Sequence, residues 1–183
     1  MAKYVELRRH TDADGDVLTP EGVRAAVEIG SHLTGGYDVL VSSGAQRATQ
    51  TLACFLAGLG EKVLRGVVVE PGLRSAAEER WRAAYEKAGS GTLQALREAD
   101  PELVEEDSAA LAAALRRVLE ALSDGGRALV VGHSPTNEAA VLGLAGEIVE
   151  PISKGGGVLV VEEDGRPSRE ARLRKPEALV GRS

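Results

Sequence analysis

The sequence predicts an α/β fold, a three-layer α/β/α sandwich around a central, mostly parallel sheet. Three observations carry this. Short apolar runs, "YVEL", "DVLVS", "VVVE", "ALVVG" and "GVLVVEE", read as strands. Most are continuous rather than alternating, as in strands covered on both faces. Longer segments between them carry apolar residues at helical steps. The two kinds of segment alternate, an order that builds a parallel sheet with helices on its faces and a ligand site at the carboxyl ends of the strands.

The elements justify themselves in turn. "VELRRHTDAD" closes the first strand with Arg8, Arg9 and His10. In "LTPEG", Thr19 is a helix cap and Pro20 takes the first helical position. After "DVLVS", the stretch "SSGAQRATQTL" offers Ser43 as a cap with Gln46 in the capping-box position, which puts Arg47 in a first helical turn. That helix continues through Leu52, Phe55, Leu56 and Leu59, with Cys54 among them as a plain core thiol. "VVVE" ends on Glu70. Residues 73–107 are dense in charge, hold Trp81 and Tyr85, and show no strand signal, so they read as an insertion arching over the site. Leu111, Leu115, Val118, Leu119 and Leu122 mark the next helix. "ALVVG" delivers His133, and "HSPTNE" opens a helix with Ser134 as cap and Pro135 behind it. "SDGGRA" and "SKGGGV" are turns before strands, and the second lacks the Lys-Ser or Lys-Thr of a phosphate loop. Residues 1–165 thus form one expected domain, and 166–183, with interleaved charges, Pro and Gly, a loosely held tail.

Composition narrows the function classes. A chain of 183 residues with 43% hydrophobic and 27% charged residues suits one domain with a continuous core. Its net charge of −6, with scattered basic residues, argues against nucleic acid as a partner. No apolar run approaches the ~18 residues of a spanning helix, and the start lacks the order of a signal peptide. The expected location is therefore the cytoplasm, with no membrane partner. One cysteine excludes an internal disulfide and a cysteine metal cluster.

Arg9 and His10 after the first strand, Arg47 after the second and His133 after a later one all fall on one predicted sheet edge. Two guanidiniums, two imidazoles and exposed helix amino termini suit a small dianion, above all a phosphoryl group. Beside fixed cations an imidazole is favoured in its neutral form, whose ring nitrogen is a competent nucleophile toward phosphorus. Strand alternation points Arg8 opposite to Arg9, as a solvent or structural-pair residue. His32, inside the first helix, reads as structural.

"LRRHT", "SSGAQRATQT" and "VVGHSPTNE" resemble, in order and in context, the three signature segments of the histidine phosphatase superfamily, the phosphoglycerate-mutase-like fold. "LTPEGVRAA" resembles the family's following segment. The opening motif matches at Leu7, Arg9 and His10, with Thr11 where glycine is usual. The resemblance implies a covalent phosphohistidine on His10, with Arg9, Arg47 and His133 holding the nonbridging oxygens and neither metal nor cofactor needed. The family's middle segment, Leu-x-Glu followed by Trp, aligns at Leu73 and Trp81 but places Ser75 at the glutamate. Glu70, at a strand end, is then the candidate general acid, against the alternative that no carboxyl acid is used. Glu78 and Glu79 read as a solvated helix face. "GHSPTNE" is most similar to the small phosphohistidine phosphatases of the SixA type. The expected function is metal-independent phosphohydrolase activity, on a phosphohistidine protein or a small phosphomonoester. The alternatives are a phosphoglycerate or phosphosugar mutase, and a noncatalytic phosphate-binding module in which Thr11 crowds the phosphate.

Overall fold

Val5 and Leu7 on one face of β1 (Lys3–Arg9) and Glu6 and Arg8 on the other are all buried, because this strand lies inside the sheet. The structure, a computed structural model, describes residues 1–173. A short hairpin of β2 (Ala13–Asp14) and β3 (Val17–Leu18) leads to α1 (Pro20–Ser31) and β4 (Val39–Ser42). Next come α2 (Gln46–Leu59), β5 (Val67–Val69), α3 (Glu78–Ala88), α4 (Leu93–Ala99) and α5 (Pro101–Glu120). The chain closes with β6 (Arg127–Gly132), α6 (Thr136–Ala145), β7 (Gly157–Glu163) and β8 (Arg166–Leu173). The main sheet has the order β5-β4-β6-β1-β7-β8, parallel from β5 to β1 and antiparallel at β7 and β8. The predicted fold is therefore observed. Four parallel strands deliver the residues that follow them to one edge.

Strand alternation sorts the core into two layers. Leu40, Leu129 and Val131 join Ala26 and Ile29 of α1 and Leu52 and Phe55 of α2. Val39, Val41, Ala128 and Val130 join Leu111 and Leu115 of α5 and Ala139 and Val141 of α6. Helices α1 and α2 touch closely at Gly58, where a Cβ would lie 2.0 Å from the Val27 carbonyl oxygen.

Four local expectations change, and one holds. Thr19 caps α1 as read, accepting from the Gly22 amide at 3.0 Å. Ser43 does not cap α2: the Asp16 carboxylate takes the Gln46 and Arg47 amides, each at 3.2 Å, which frees the Ser43 hydroxyl for the sheet edge. Ser134 does not cap α6, which begins at Thr136; its hydroxyl donates to Glu138 instead. The expected tail is a strand over residues 166–173, where an edge of β7 is open to pairing, and residues 174–183 lie outside the described residues. The valines of β5, expected to be covered, lie exposed at the opposite sheet edge.

Arg8 proves to be a structural-pair residue. It donates to the buried Glu6 carboxylate from Nε at 2.8 Å and from Nη2 at 2.7 Å, and to the Gly155 carbonyl at 2.8 Å. The Tyr37 hydroxyl donates to the other Glu6 oxygen at 2.6 Å, and burial, reinforced by that carboxylate, pushes the phenol pKa up. Arg8→Ala leaves a buried carboxylate without its cation, and the expected cost is about 3–5 kcal/mol, read from the urea midpoint.

Candidate active site

The turn after β1 is clamped from two sides. The His10 amide donates to the Gly132 carbonyl at 3.1 Å, and the Gly155 amide reaches the Arg9 and His10 carbonyls at 3.1 and 3.3 Å. The "KGGG" segment, read from sequence as a plain turn, is thus part of the clamp. From the first turn of α6, Asn137 bridges the ends of β6 and β1: its side chain accepts from the His133 amide at 3.2 Å and donates to the Arg8 carbonyl at 3.0 Å. A Cβ at position 132 would lie 2.4 Å from Asn137 Oδ1, so a side chain there would displace this bridging amide.

These ties bring the His10 and His133 ring centroids within 5.4 Å. His10 Nδ1 lies 2.7 Å from the Thr11 carbonyl oxygen, which can only accept, so Nδ1 carries the hydrogen and Nε2 of the neutral ring keeps its lone pair. His133 Nε2 shares a 2.7 Å hydrogen bond with the Ser43 hydroxyl. Burial, opposed by the bond to Thr11 and aided by the charges of Arg47, Arg9 and Lys154, brings the His10 pKa down to about 4. Burial, then the charges of Arg47, His10 and Arg74, brings that of His133 to about 3. Both rings are neutral at pH 7.

Arg9 is half-buried and donates from Nη1 to the Ile152 carbonyl at 3.0 Å. Arg47 pairs with Asp16 at 2.8 Å. Lys154 pairs with Asp12, which also accepts from the Thr19 hydroxyl at 2.7 Å. Because Asp16 already takes the first amides of α2, that helix start is not the open anion site the sequence suggested. Among the described residues no group of three or more His, Cys, Asp or Glu side chains is gathered as a metal-ligand set. No helix among them is long and apolar enough to cross a membrane.

A cavity of about 280 Å³ opens from Arg47 and His133 toward α3, which supplies Glu78, Trp81, Arg82 and Tyr85 to its wall. Of residues 73–107, expected to arch over the site, Ser75 and this helix line the cavity. Asp107 of α5 fixes it, accepting from Trp81 Nε1 at 2.5 Å and from the Ser75 hydroxyl at 2.6 Å. Glu78 bonds to Arg74 at 2.7 Å and lies 4.0 Å from Arg47.

Glu70 is placed differently from its expectation. It follows β5 at the same sheet edge, but its carboxylate turns to Arg117 at 2.7 Å and to the Gly72 amide at 3.0 Å, outside the cavity wall. The bond to Arg117 holds its pKa below the usual carboxylate value. Thr11 also departs from expectation: buried, it donates to the Gly22 carbonyl at 2.8 Å while its amide donates to Thr51, so its side chain serves the α1–α2 side. His32 is exposed at the end of α1, with Nδ1 2.9 Å from the Glu28 carbonyl, as a structural histidine. Sequence reasoning missed Glu78 as a cavity residue. The signal was the helical stripe of 78, 81, 82 and 85, which shares one face.

The depressed histidines have a consequence for stability. Unfolding returns both rings to a pKa near 6.5, so in acid the unfolded chain binds protons that the folded chain refuses. Stability is full above about pH 6.5 and falls as the pH drops toward about 4 for His10 and about 3 for His133. Urea midpoints are expected to decline already between about pH 6.5 and 5, before carboxylates titrate; a midpoint flat over that range would contradict the assignment.

Similar proteins agree with this architecture. The profile of the histidine phosphatase superfamily (branch 1) matches residues 3–154. No curated protein sequence matches. A phosphoglycerate mutase from Bacillus anthracis str. Sterne superposes with a TM-score of 0.74 at 20% identity, over 95% of this chain and 94% of that one. A phosphoserine phosphatase from Entamoeba histolytica, solved with 3-phosphoglyceric acid, gives 0.68 at 18% identity over 93% and 96%. The protein histidine phosphatase SixA, solved with tungstate, gives 0.57 at 21% identity over 96% and 97%. At such identities these likenesses speak for the fold, and the profile match over most of the chain speaks for the family: this protein belongs to the histidine phosphatase superfamily, branch 1.

Proposed function

We propose that the protein is a metal-independent phosphohydrolase that works through a phosphohistidine on His10. The observation that carries the reading is the neutral His10 ring, its Nδ1 hydrogen held by the Thr11 carbonyl and its Nε2 free, beside Arg9, Arg47 and His133. In the first half-reaction Nε2 attacks phosphorus, a P–N bond forms and the bond to the leaving group breaks. Arg9 and Arg47 hold the nonbridging oxygens, whose charge phosphoryl transfer asks a protein to offset, and His133 joins them as its Nε2 hydrogen exchanges Ser43 for a phosphoryl oxygen. Glu78 takes the acid role in place of Glu70 because it stands on the cavity wall; released from Arg74 and protonated from water, it gives that proton to the leaving oxygen. In the second half-reaction water attacks, its proton passes to Glu78, and phosphate leaves with the His10 lone pair restored.

The substrate is a phosphorylated small molecule or a phosphohistidine protein. The noncatalytic alternative loses its main support, because Thr11 bonds to Gly22 and stands beside Thr51 rather than in the cavity. Rapid quench with radiolabelled phosphohistidine peptide and with a small labelled phosphomonoester is expected to trap an acid-labile, alkali-stable phosphoprotein. Phosphate binding without turnover would sink the reading, and isomerisation of 3-phosphoglycerate without phosphate release would replace it with the mutase.

A further inference from the structure

Glu138 is 1% exposed, in the first turn of α6, and its Oε1 accepts twice. The Ser134 hydroxyl donates to it at 2.6 Å and the Ile152 amide at 2.7 Å. Ser134 directly follows His133, and the Ile152 carbonyl is the acceptor for Arg9 Nη1 at 3.0 Å. One buried carboxylate oxygen therefore fastens both the segment that presents His133 and the peptide that fixes Arg9. Its second oxygen and Arg9 Nε are each buried with no hydrogen-bond partner among the described residues. Arg9 and Glu138 feel each other's charge. A buried carboxylate with an unmet oxygen is costly as a plain core residue, and this one acts by its charge on the half-buried Arg9, whose Nε is likewise buried and unmet.

We infer that Glu138 is a positioning residue that sets Arg9 and His133 at one fixed separation around the transferring phosphoryl group. The inference rests on the phosphohydrolase reading and adds to it the origin of the site's geometry. Arg9 and His133 would hold equatorial oxygens whose charge grows toward the transition state, so a misplaced pair harms turnover more than ground-state binding. Glu138→Gln keeps the volume and an acceptor oxygen for Ser134 and Ile152 but removes the charge that Arg9 feels. Glu138→Ala removes the tether as well.

The test uses p-nitrophenyl phosphate kinetics and orthovanadate inhibition on the full chain, with thermal unfolding to report the folded fraction. For Glu138→Gln we expect kcat to fall about tenfold and vanadate inhibition to weaken by a similar factor, with KM within about threefold. Glu138→Ala is expected to lose about 100-fold in kcat where it folds, and Ser134→Ala, which cuts one arm, a few-fold. Should Glu138→Gln fold and keep kcat and vanadate inhibition within about twofold of wild type, the inference is overturned. Equal changes in KM and vanadate inhibition with kcat untouched would also overturn it, since they describe uniform binding. Failure of the underlying reading is seen separately: wild-type protein would then neither hydrolyse the ester nor bind vanadate.

Discussion

His10→Ala is expected to lower kcat/KM for p-nitrophenyl phosphate by roughly 10⁴-fold or more and to abolish the trapped phosphoprotein, while phosphate or vanadate still binds. The variant removes the attacking nitrogen but leaves Arg9, Arg47 and His133, so the charges that hold the anion survive. His133 is no substitute nucleophile, because its Nε2 is engaged with Ser43 and its Nδ1 is buried. His32→Ala is the control: that exposed ring bonds only within the end of α1, and its loss is expected to leave turnover unchanged. A phosphoprotein persisting in His10→Ala would move the nucleophile elsewhere.

The parts of this site that were legible in the sequence share one property: each directly follows a parallel strand. Arg9 and His10 end β1 and its turn, Arg47 opens the helix after β4, and His133 follows β6, so strand order alone put them on one edge. What escaped depends on segments meeting across the sheet edge. Asp16 reaches α2 from the β2–β3 hairpin and displaced Ser43 from its expected cap, and no local pattern marks a carboxylate that caps a helix thirty positions away. The side-chain direction of Thr11 was misjudged for a similar reason: position 11 is a turn, where strand alternation no longer applies, and the carbonyl of Gly22 and the hydroxyl of Thr51 claim it. The exposed valines of β5 show that a continuous apolar run cannot tell a covered strand from a bare edge.

Glu78→Gln is expected to lower kcat by about 10²–10⁴-fold on an alkyl phosphate, the range for a lost proton donor, and by far less on p-nitrophenyl phosphate or a phosphohistidine peptide. The difference comes from the leaving group. An alkoxide leaves only with a proton in hand, whereas nitrophenolate and imidazole are better leaving groups. Glu70→Gln is expected to leave kcat on all three substrates near wild type. Its carboxylate is committed to Arg117 and the Gly72 amide, so its loss falls on stability, where an exposed arginine partner limits the cost to about 1 kcal/mol. The pair of variants therefore separates the carboxylate that the sequence offered as the acid, Glu70, from the one it read as a solvated helix face, Glu78. A large loss in Glu70→Gln with Glu78→Gln intact would return the acid to the strand end and require Glu70 to leave Arg117 when substrate binds. If neither variant loses turnover on the alkyl ester, no carboxyl acid is used, and the natural substrate is one whose leaving group departs without a proton, as in a phosphoramidate.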